Sequence, residues 1–291
     1  MTEFKTVDLS RFTTWGIGGP SRAAFPGNDD ELASVVEYLE NKSIPWTVLG
    51  RGSNTLAPSE GWDGVVIVLS GEYQRFRFRG TSLAAGGGAP LPSMAGAACS
   101  LGLDGLVFAV GIPGSAGGAV FMNAGAYGSS LSDVVREVTF LSRAGELHTL
   151  AMEQCGFAYR KSRFQEGAPV VITQVVMDLS RCDGGPGILR ERASQVLSLR
   201  RAKFPLGVPN AGSVFKRPVD GPPPGRLIED CGLKGLAVGG AMVSHVHANF
   251  IENRGGATSG DVIRLMELVH HRVLQRTGYD LLREVELLGE R

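Results

Sequence analysis

The chain has 291 residues, with 29 basic and 29 acidic side chains and a formal net charge of zero. This length allows a sizeable core and two or three subdomains, and the balanced charge excludes a domain-wide basic surface for nucleic acid. No apolar run is long enough for a membrane span, and residues 1–14 lack the apolar segment of a signal peptide. We therefore expect a cytoplasmic protein with no membrane-spanning segment and no nucleic-acid partner.

The cysteine and histidine patterns argue against a metal centre. The four cysteines are far apart and no pair has CxxC spacing, which predicts neither a zinc site nor a redox pair. Reduced thiols are expected instead, as in other intracellular proteins. His245 and His247 are two residues apart, and His270 and His271 are neighbours. They have no matching set of metal ligands, so we interpret them as structural and predict no metal.

The first part of the chain alternates helix and strand signals. Apolar residues at three- and four-residue spacing predict a helix over 29–40, with Asp29 or Asp30 as its N-cap. A second helix is predicted over 91–101, closed by Gly102. The strands predicted here from short apolar runs lie at 45–49, 65–69 and 81–85.

A glycine-rich segment, 111–128, follows the second helix. Six of its eighteen residues are glycine, although Ile112, Val120 and Phe121 are spaced through it. Glycine inside regular structure costs about 0.5–1 kcal/mol relative to alanine, a cost that is tolerated where backbone must approach a ligand closely. Bare N–H groups bind phosphates well. We therefore predict that this segment is the wall of a nucleotide-cofactor site.

A second glycine loop, 50–54, comes directly after the strand predicted at 45–49. A Rossmann loop would require a third glycine at the position of Thr55, and no helix pattern follows. The backbone and the Asn54 side chain can hold phosphate oxygens in a turn, although a turn without a ligand has the same residues. Together with segment 111–128, the loop favours a dinucleotide site.

The middle of the chain is predicted to be mainly β. The strands lie at 134–142, 146–150 and 169–179, and the first two form a hairpin around the turn 143–145. Segment 181–187 is interpreted as a linker or turn from its composition, and a helix is predicted over 189–201. A turn and then a strand are predicted over 210–218, followed by a Pro-Gly loop at 221–225.

The C-terminal part contains an amphipathic helix and a final strand. Thr258 begins a capping-box pattern, apolar residues follow at helical spacing, and Gly278 ends the predicted helix. The last predicted strand is 281–288, with Glu284 on the face opposite Val285.

Three polar candidates lie outside the glycine loops. Arginine is the natural partner of a carboxylate, so Arg160, beside Tyr159, is a candidate ligand contact, with a solvated basic surface as the alternative. Ser213 is not in a Gly-x-Ser-x-Gly turn, so a hydrolase has little support, and an ordinary turn hydroxyl is the alternative. Periodicity alone does not single out Glu284.

The chain resembles the UDP-N-acetylenolpyruvoylglucosamine reductase family, the UDP-N-acetylmuramate dehydrogenases, over nearly its whole length. The matching segments occur in the family's order at 14–19 (TWGIGG), 50–54 (GRGSN), 111–118 (GIPGSAGG), 159–160 (YR), 211–216 (AGSVFK), 227–229 (LIE), 247–251 (HANFI) and 284–286 (EVE). The short segment between Arg160 and Pro169 resembles the family's shorter form, which lacks an inserted tyrosine-bearing loop.

The resemblance implies an α+β fold. Two FAD-binding subdomains of the vanillyl-alcohol-oxidase type, 1–72 and 73–183, would be followed by a C-terminal α+β substrate-binding domain, 184–291. The resemblance leaves open that the last residues pack back on the first subdomain.

The resemblance also implies an activity, the NADPH-dependent reduction of UDP-N-acetylglucosamine enolpyruvate to UDP-N-acetylmuramate through non-covalently bound FAD, in peptidoglycan precursor synthesis. Arg160 would hold the substrate carboxylate, Glu284 would donate a hydrogen bond to it, and Ser213 would protonate the reacting carbon. We expect a monomer. The alternatives are another FAD-dependent oxidoreductase of the same fold, such as an oxidase, and a non-catalytic nucleotide-sugar binding protein.

The remaining site residues are also implied by the resemblance. The cofactor-binding residues would be Gly50, Arg51, Gly52, Ser53, Asn54, Thr55, Gly111, Ile112, Pro113, Gly114, Ser115, Gly117, Gly118, Asn123, Gly125 and Ala126. The substrate-binding residues would be Tyr159, Lys203, Arg217 and Asn249. Lys203 would contact the nucleotide diphosphate, whereas Arg217 stands where many members of the family have asparagine.

Overall fold

The computed structural model describes residues 4–290. Within them the α-helices are α1 (Asp29–Asn41), α2 (Leu91–Ser100), α3 (Ala116–Phe121), α4 (Gly185–Lys203), α5 (Pro224–Asp230) and α6 (Ser259–Thr277). The strands are β1 (Lys5–Asp8), β2 (Pro20–Ala24), β3 (Trp46–Val48), β4 (Thr55–Leu56), β5 (Trp62–Ile67), β6 (Phe76–Arg79), β7 (Ser82–Gly86), β8 (Leu103–Asp104), β9 (Gly125–Ala126), β10 (Ser129–Ser130), β11 (Val135–Leu141), β12 (Leu147–Ala151), β13 (Val171–Asp178), β14 (Ser180–Arg181), β15 (Ala237–Val238), β16 (Ala241–Val243), β17 (Ile251–Asn253) and β18 (Glu286–Leu287).

The chain separates into two compact units, each with its own apolar core. The first unit comprises residues 4–5, 22–51 and 64–200, and the second comprises residues 6–21, 52–63 and 201–290. The second unit therefore resumes at Arg201 rather than at the predicted boundary, residue 184. The division of the first 183 residues into two FAD-binding subdomains stays a prediction.

The first unit is built around a five-stranded antiparallel sheet with the order β12-β11-β13-β7-β6. β11 and β12 form the predicted hairpin, with Leu141 opposite Leu147. Leu83, Val138 and Met177 are fully buried in the main core of this unit. Because α3 packs against the central strand β13, the core also supports the glycine-rich segment.

A second core of the first unit lies under α1. β3 and β5 run parallel there, with Trp46 opposite Val65. Leu32 and Leu39 of α1 are fully buried in this core, which confirms the predicted apolar face of the helix.

The predicted N-cap of α1, Asp29 or Asp30, is wrong. The side chain of Asn28 caps the helix by accepting a hydrogen bond from the backbone N–H of Glu31. Asn28 has the extended backbone that an N-cap needs, whereas both aspartates already belong to the first turn. Their carboxylates there interact favourably with the positive end of the helix dipole.

The second unit is organised by α6. The helix begins at the predicted capping box, in which Thr258 and Asp261 accept hydrogen bonds from each other's backbone N–H. It ends at Gly278, which has a left-handed φ of 74°. The apolar residues predicted to face the core are buried, namely Val262, Met266, Val269 and Val273.

The second unit also contains a three-stranded sheet and a short pair of parallel strands. The three-stranded antiparallel sheet has the order β15-β16-β17. β18 runs parallel to β4, with Glu286 opposite Thr55 and Leu287 opposite Leu56. Trp15 is fully buried, and its Nε1 donates a hydrogen bond to the carbonyl of Ile251 at 2.7 Å.

Three predicted elements are wrong in part. Segment 181–187 is not a linker, because Arg181 belongs to β14 and α4 begins at Gly185, and the predicted turn is confined to residues 183–184. Pro186 is compatible with this start, since proline is tolerated in the first helical turn. The strands predicted over 210–218 and 281–288 shrink to an isolated bridge between Phe215 and Arg283 and to the two residues of β18.

Candidate active site

The glycine-rich segment contains a short helix that its composition did not predict. α3 begins after Ser115, whose side chain accepts a hydrogen bond from the N–H of Gly118 at 3.3 Å. Gly117 lies against the backbone of Gly87, to which its N–H donates at 2.8 Å. Gly118 and Pro113 remain exposed. The segment is therefore fixed from one side and open on the other.

The two glycine loops meet in the first unit at Gly50 and Ser115. A Cβ added to Gly50 would lie 2.6 Å from the Oγ of Ser115, so only glycine allows this approach. Gly50 and Arg51 are exposed where the chain leaves β3. Exposed glycine backbone of this kind can approach the phosphate oxygens of a ligand.

Tyr159 and Arg160 form the tip of a tight turn in the first unit. Ala158 and Lys161 exchange two backbone hydrogen bonds of 3.0 and 3.1 Å across it. Arg160 has a φ of +52°, which is uncommon for residues other than glycine and is found preferentially at functional sites. Its guanidinium lies 5.4 Å from the centre of the Tyr159 ring, within range of a cation–π interaction.

Asn123 connects the glycine-rich segment to this turn. Its Nδ2 donates to the carbonyl of Ala158 at 3.0 Å, and its Oδ1 accepts from the N–H of Ser132 at 3.0 Å. The side chain is buried. These contacts favour a role in positioning the turn of Arg160 over the direct cofactor contact that the sequence predicts for the Asn123 side chain.

The remainder of loop 50–54, Gly52 to Asn54, belongs to the second unit together with the adjoining Thr55. Gly52 has a φ of +59°, and a Cβ at this position would collide with the carbonyl oxygen of Phe12. The carbonyl of Gly52 accepts a hydrogen bond from the N–H of Thr14 at 3.1 Å. A side chain at position 52 would therefore force the loop onto a different backbone path.

The predicted residues Ser213 and Glu284 are brought together in the second unit. The N–H of Glu284 donates to the carbonyl of Val214 at 2.8 Å, next to Ser213. Asn54 holds the same segment, because its Nδ2 donates to the carbonyl of Glu284 at 3.1 Å. The Glu284 side chain is buried, although strand alternation placed it opposite Val285, which is also buried. The alternation fails because the chain bends here instead of continuing as a strand.

Asn249 braces the serine segment from the other side. Its Oδ1 accepts from the N–H of Phe215 at 3.1 Å, and its Nδ2 donates to the Phe215 carbonyl at 2.9 Å. Its carbonyl also accepts from the N–H of Val214 at 2.9 Å. Since the amide is buried and used in this way, its contacts favour positioning of Ser213 over the predicted contact with substrate.

The other predicted substrate residues are exposed cations of the second unit. Lys203 is the last residue of α4, and Arg217 donates from its Nε to the carbonyl of Gly221 at 3.0 Å. Next to Lys203 in sequence, Phe204 and Arg201 line a cavity of about 560 Å³.

Two further residues of this cavity were missed by the sequence analysis. Arg254 lines it and forms an ion pair of 3.2 Å with the buried carboxylate of Glu252. Neither residue belongs to a motif, and only the pairing of β16 with β17 brings them to the cavity containing Arg201. The cavity thus has a mainly apolar lining with two arginines, of which Arg254 is paired with Glu252 and Arg201 could contact an anionic ligand.

The first unit contains one polar atom that fits an anionic cofactor. The Nε of Arg200 is buried and has no hydrogen-bond acceptor. The stem of this side chain passes directly over Gly111, the first glycine of segment 111–128. A buried guanidinium donor beside an exposed glycine loop matches the chemistry of FAD, which carries a diphosphate.

No helix within residues 4–290 is both long and apolar enough to cross a membrane. The same residues contain no group of three or more histidine, cysteine or acidic side chains arranged to hold a metal ion. All four cysteines are free thiols.

Comparisons with known proteins give matches over the whole chain. A family model described as an FAD binding domain matches residues 20–151, and one for the C-terminal domain of UDP-N-acetylenolpyruvoylglucosamine reductase matches residues 204–288. The UDP-N-acetylenolpyruvoylglucosamine reductase of Heliobacterium modesticaldum is 44% identical, covering 97% of this chain and 89% of its own. That of Rubrobacter xylanophilus is also 44% identical, covering 97% and 94%.

A solved structure agrees with these sequence matches. The crystal structure of UDP-N-acetylenolpyruvylglucosamine reductase from Thermus caldophilus matches with a TM-score of 0.85 and 35% identity, covering 99% of both chains. The matches confirm the resemblance and the predicted fold class, in which an FAD-binding part precedes a C-terminal domain. The individual site residues stay predictions.

Proposed function

This chain belongs to the UDP-N-acetylenolpyruvoylglucosamine reductase family, and we propose that it uses NADPH and FAD to reduce UDP-N-acetylglucosamine enolpyruvate to UDP-N-acetylmuramate. The match to an FAD binding domain and the agreement with relatives over 97% of the chain support this reaction. It forms the lactyl ether of a peptidoglycan precursor, so the protein is an oxidoreductase of cell-wall synthesis.

Bound FAD supplies the transfer of hydride equivalents from NADPH to the substrate. The residues proposed to hold it are the two glycine loops, and the exposed backbone around Gly50 and Gly118 is the surface that admits it. Ser115 and Gly52 fix the paths of these loops through the hydrogen bonds described above. Their task is to present backbone N–H groups without side chains in the way.

Three side chains are proposed to act on the substrate. Arg160 holds the carboxylate beside the reacting double bond through charge-assisted hydrogen bonds. Glu284 donates a hydrogen bond from a protonated carboxyl group to the same carboxylate as negative charge builds up there. Ser213 transfers its hydroxyl proton to the carbon next to the carboxylate, and this transfer is downhill because the carbanion is a far stronger base than the serine alkoxide.

The observation that best supports this assignment is the bonding around Ser213. The neighbouring residues Val214 and Phe215 are bonded to Glu284 and Asn249 through backbone and amide groups. A proton donor must be held in a fixed orientation to act in one step. A serine in a mobile surface turn would not be braced on both sides in this way.

Lys203 and the cavity lined by Arg201 are proposed to hold the diphosphate of the nucleotide. Arg201 and Arg254 line the cavity, and the lining residues Ala202 and Phe204 are the sequence neighbours of Lys203. A cluster of cations in a groove is the ordinary means of binding a diphosphate. We further propose that the protein works as a monomer in the cytoplasm, where its four free thiols stay reduced.

The test is an assay of the purified protein. We expect the purified protein to show the visible absorption of bound flavin and to oxidise NADPH when the enolpyruvyl nucleotide sugar is added. Colourless protein that stays colourless with added FAD would contradict the proposal. Oxygen consumption with an alcohol in place of NADPH oxidation would instead indicate an oxidase.

A further inference from the structure

The end of α4 presents a cation to the glycine-rich segment. Arg200 lies in the last turn of this helix, and Gly111 lies beneath its side chain. A Cβ on Gly111 would collide with the Cδ of Arg200 and lie 2.7 Å from its Nε. The glycine at position 111 is therefore needed to let the arginine stem cross the segment.

The guanidinium of Arg200 is held in an environment that is costly for a charge. It interacts with the hydroxyl of Tyr127, at the far end of the same segment. Burial lowers the pKa of Arg200 from its ordinary value, and the interaction with Tyr127 opposes this effect. Its Nε is buried without an acceptor. A desolvated donor of this kind is retained where a ligand supplies the acceptor.

We propose that Arg200 binds an anionic group of FAD, closing the glycine-rich segment over the cofactor. The inference rests on the proposed function, because FAD is the ligand assigned to this segment. Two groups of FAD have the required charge: the diphosphate in every redox state, and the N1–C2 edge of the flavin after reduction. Both would accept the charge-assisted hydrogen bonds of a guanidinium.

The position of Tyr127 fits this assignment. The residue has a left-handed φ of +56° and is half-exposed. Its hydroxyl interacts with the guanidinium, while the Arg200 stem crosses Gly111. These two neighbours restrict the side chain before FAD binds, which reduces the entropy lost on binding.

The experiment compares FAD affinity and midpoint potential in variants of the whole chain. Arg200→Met and Arg200→Gln both remove the charge, and near-UV circular dichroism identifies which of them folds as the wild type does. Arg190→Met is the control, because Arg190 is an exposed arginine of the same helix. FAD binding is followed by quenching of flavin fluorescence, and the potential by anaerobic reductive titration.

We expect the Arg200 variants to bind FAD about 10- to 100-fold more weakly, the usual cost of losing hydrogen bonds to a charged group. Equal losses for oxidised and reduced FAD, with an unchanged potential, would assign Arg200 to the diphosphate. A larger loss for reduced FAD, with a lower potential, would assign it to the flavin edge.

Two results would count against the inference in different ways. A folded Arg200 variant with the affinity and potential of the wild type and of Arg190→Met would overturn it, leaving Arg200 as a packing residue over Gly111. Failure of the wild type to bind FAD at all would instead contradict the proposed function on which the inference rests.

Discussion

At the scale of single residues, the role of Ser213 separates the two halves of the reaction. If its hydroxyl supplies the proton to substrate, Ser213→Ala should slow reoxidation of the reduced enzyme by the enolpyruvyl nucleotide sugar by about 10²- to 10⁴-fold, the usual contribution of a positioned acid. Reduction by NADPH should keep its wild-type rate, because no proton from Ser213 enters that step. Stopped-flow absorbance at the flavin band measures each half-reaction separately.

The control for this substitution is Ser100→Ala. The Ser100 hydroxyl is exposed on α2 and donates a hydrogen bond to the carbonyl of Gly96 at 3.0 Å. Ser100→Ala should leave both half-reactions unchanged. Fast reoxidation of the Ser213→Ala enzyme would mean that another group or a water delivers the proton.

Glu284 gives a second prediction at the same scale. Glu284→Gln keeps the size of the side chain but replaces the acidic O–H donor with a weaker amide N–H donor, so kcat should fall by up to about 100-fold, the typical effect of losing one donor to a developing negative charge. The KM for the enolpyruvyl substrate should change much less, since the interaction strengthens as the charge develops. Steady-state rates with varied substrate give both parameters.

Glu286→Gln is the matched control for this change. Glu286 is two residues along the chain, in β18, and its N–H is bonded to the carbonyl of Asn54. It should have wild-type kcat, because its carboxyl is not assigned to the substrate. Equal losses in the two variants would point to a general disturbance of the C-terminal segment and not to a role of the Glu284 carboxyl.

At the scale of elements, the regular parts of the fold could be predicted because a local pattern and a local cap agree. α6 has an apolar stripe, a capping box at Thr258 and a left-handed Gly278, and each signal lies within the helix or next to it. The β11–β12 hairpin is equally local. α3 could not be predicted, because two glycines in six residues oppose helix formation and packing against β13 decides the outcome.

The segments that contain the proposed catalytic residues show a different limit of sequence reasoning. Residues 210–218 look like a strand, but their hydrogen bonds go to Asn249 and to Glu284, which are distant in the chain. The periodicity of a sequence cannot reveal hydrogen bonds between residues that are so far apart in the chain. Ser213 and Glu284 were therefore assigned through ordered family motifs, whereas Asn54 and Asn249 acquired their positioning roles only from the structure.

The loop that contains His247 makes a prediction about pH. His247 packs at a tilt against Phe204 and edge-to-face against Phe250. Burial, reinforced by the charges of Lys234 and Lys203, holds its pKa below the ordinary value of 6.5. The folded protein therefore keeps this ring neutral where the unfolded chain takes up a proton. Stability should fall as pH drops below about 6.5, the unfolded-state value.

The measurement is urea unfolding between pH 7 and pH 5, where ordinary carboxylates have little proton uptake. His247→Gln should make the free energy of unfolding less dependent on pH across this window. His271→Gln, a change at an exposed histidine of α6, should leave the dependence as it is in the wild type. The same slope in all three proteins would show that His247 contributes nothing to the pH dependence.

At the scale of the whole molecule, FAD should act as a stabilising ligand. A ligand that binds only the folded chain adds RT ln(1 + [L]/Kd), about 2.7 kcal/mol at a free concentration of 100 times Kd. Each further tenfold rise in FAD should add about 1.4 kcal/mol, so the midpoint of thermal unfolding should keep rising after the sites are saturated. Differential scanning calorimetry over a series of FAD concentrations measures this increase.

Riboflavin provides the control that relates this stabilisation to the glycine loops. It has the flavin ring but no diphosphate, so it cannot use backbone N–H groups placed for phosphate oxygens around Gly50 and Gly118. At equal concentration it should raise the unfolding midpoint much less than FAD. Equal shifts would mean that the ring alone carries the binding energy, and the glycine loops would then need another explanation, such as the close packing seen where Gly117 meets Gly87.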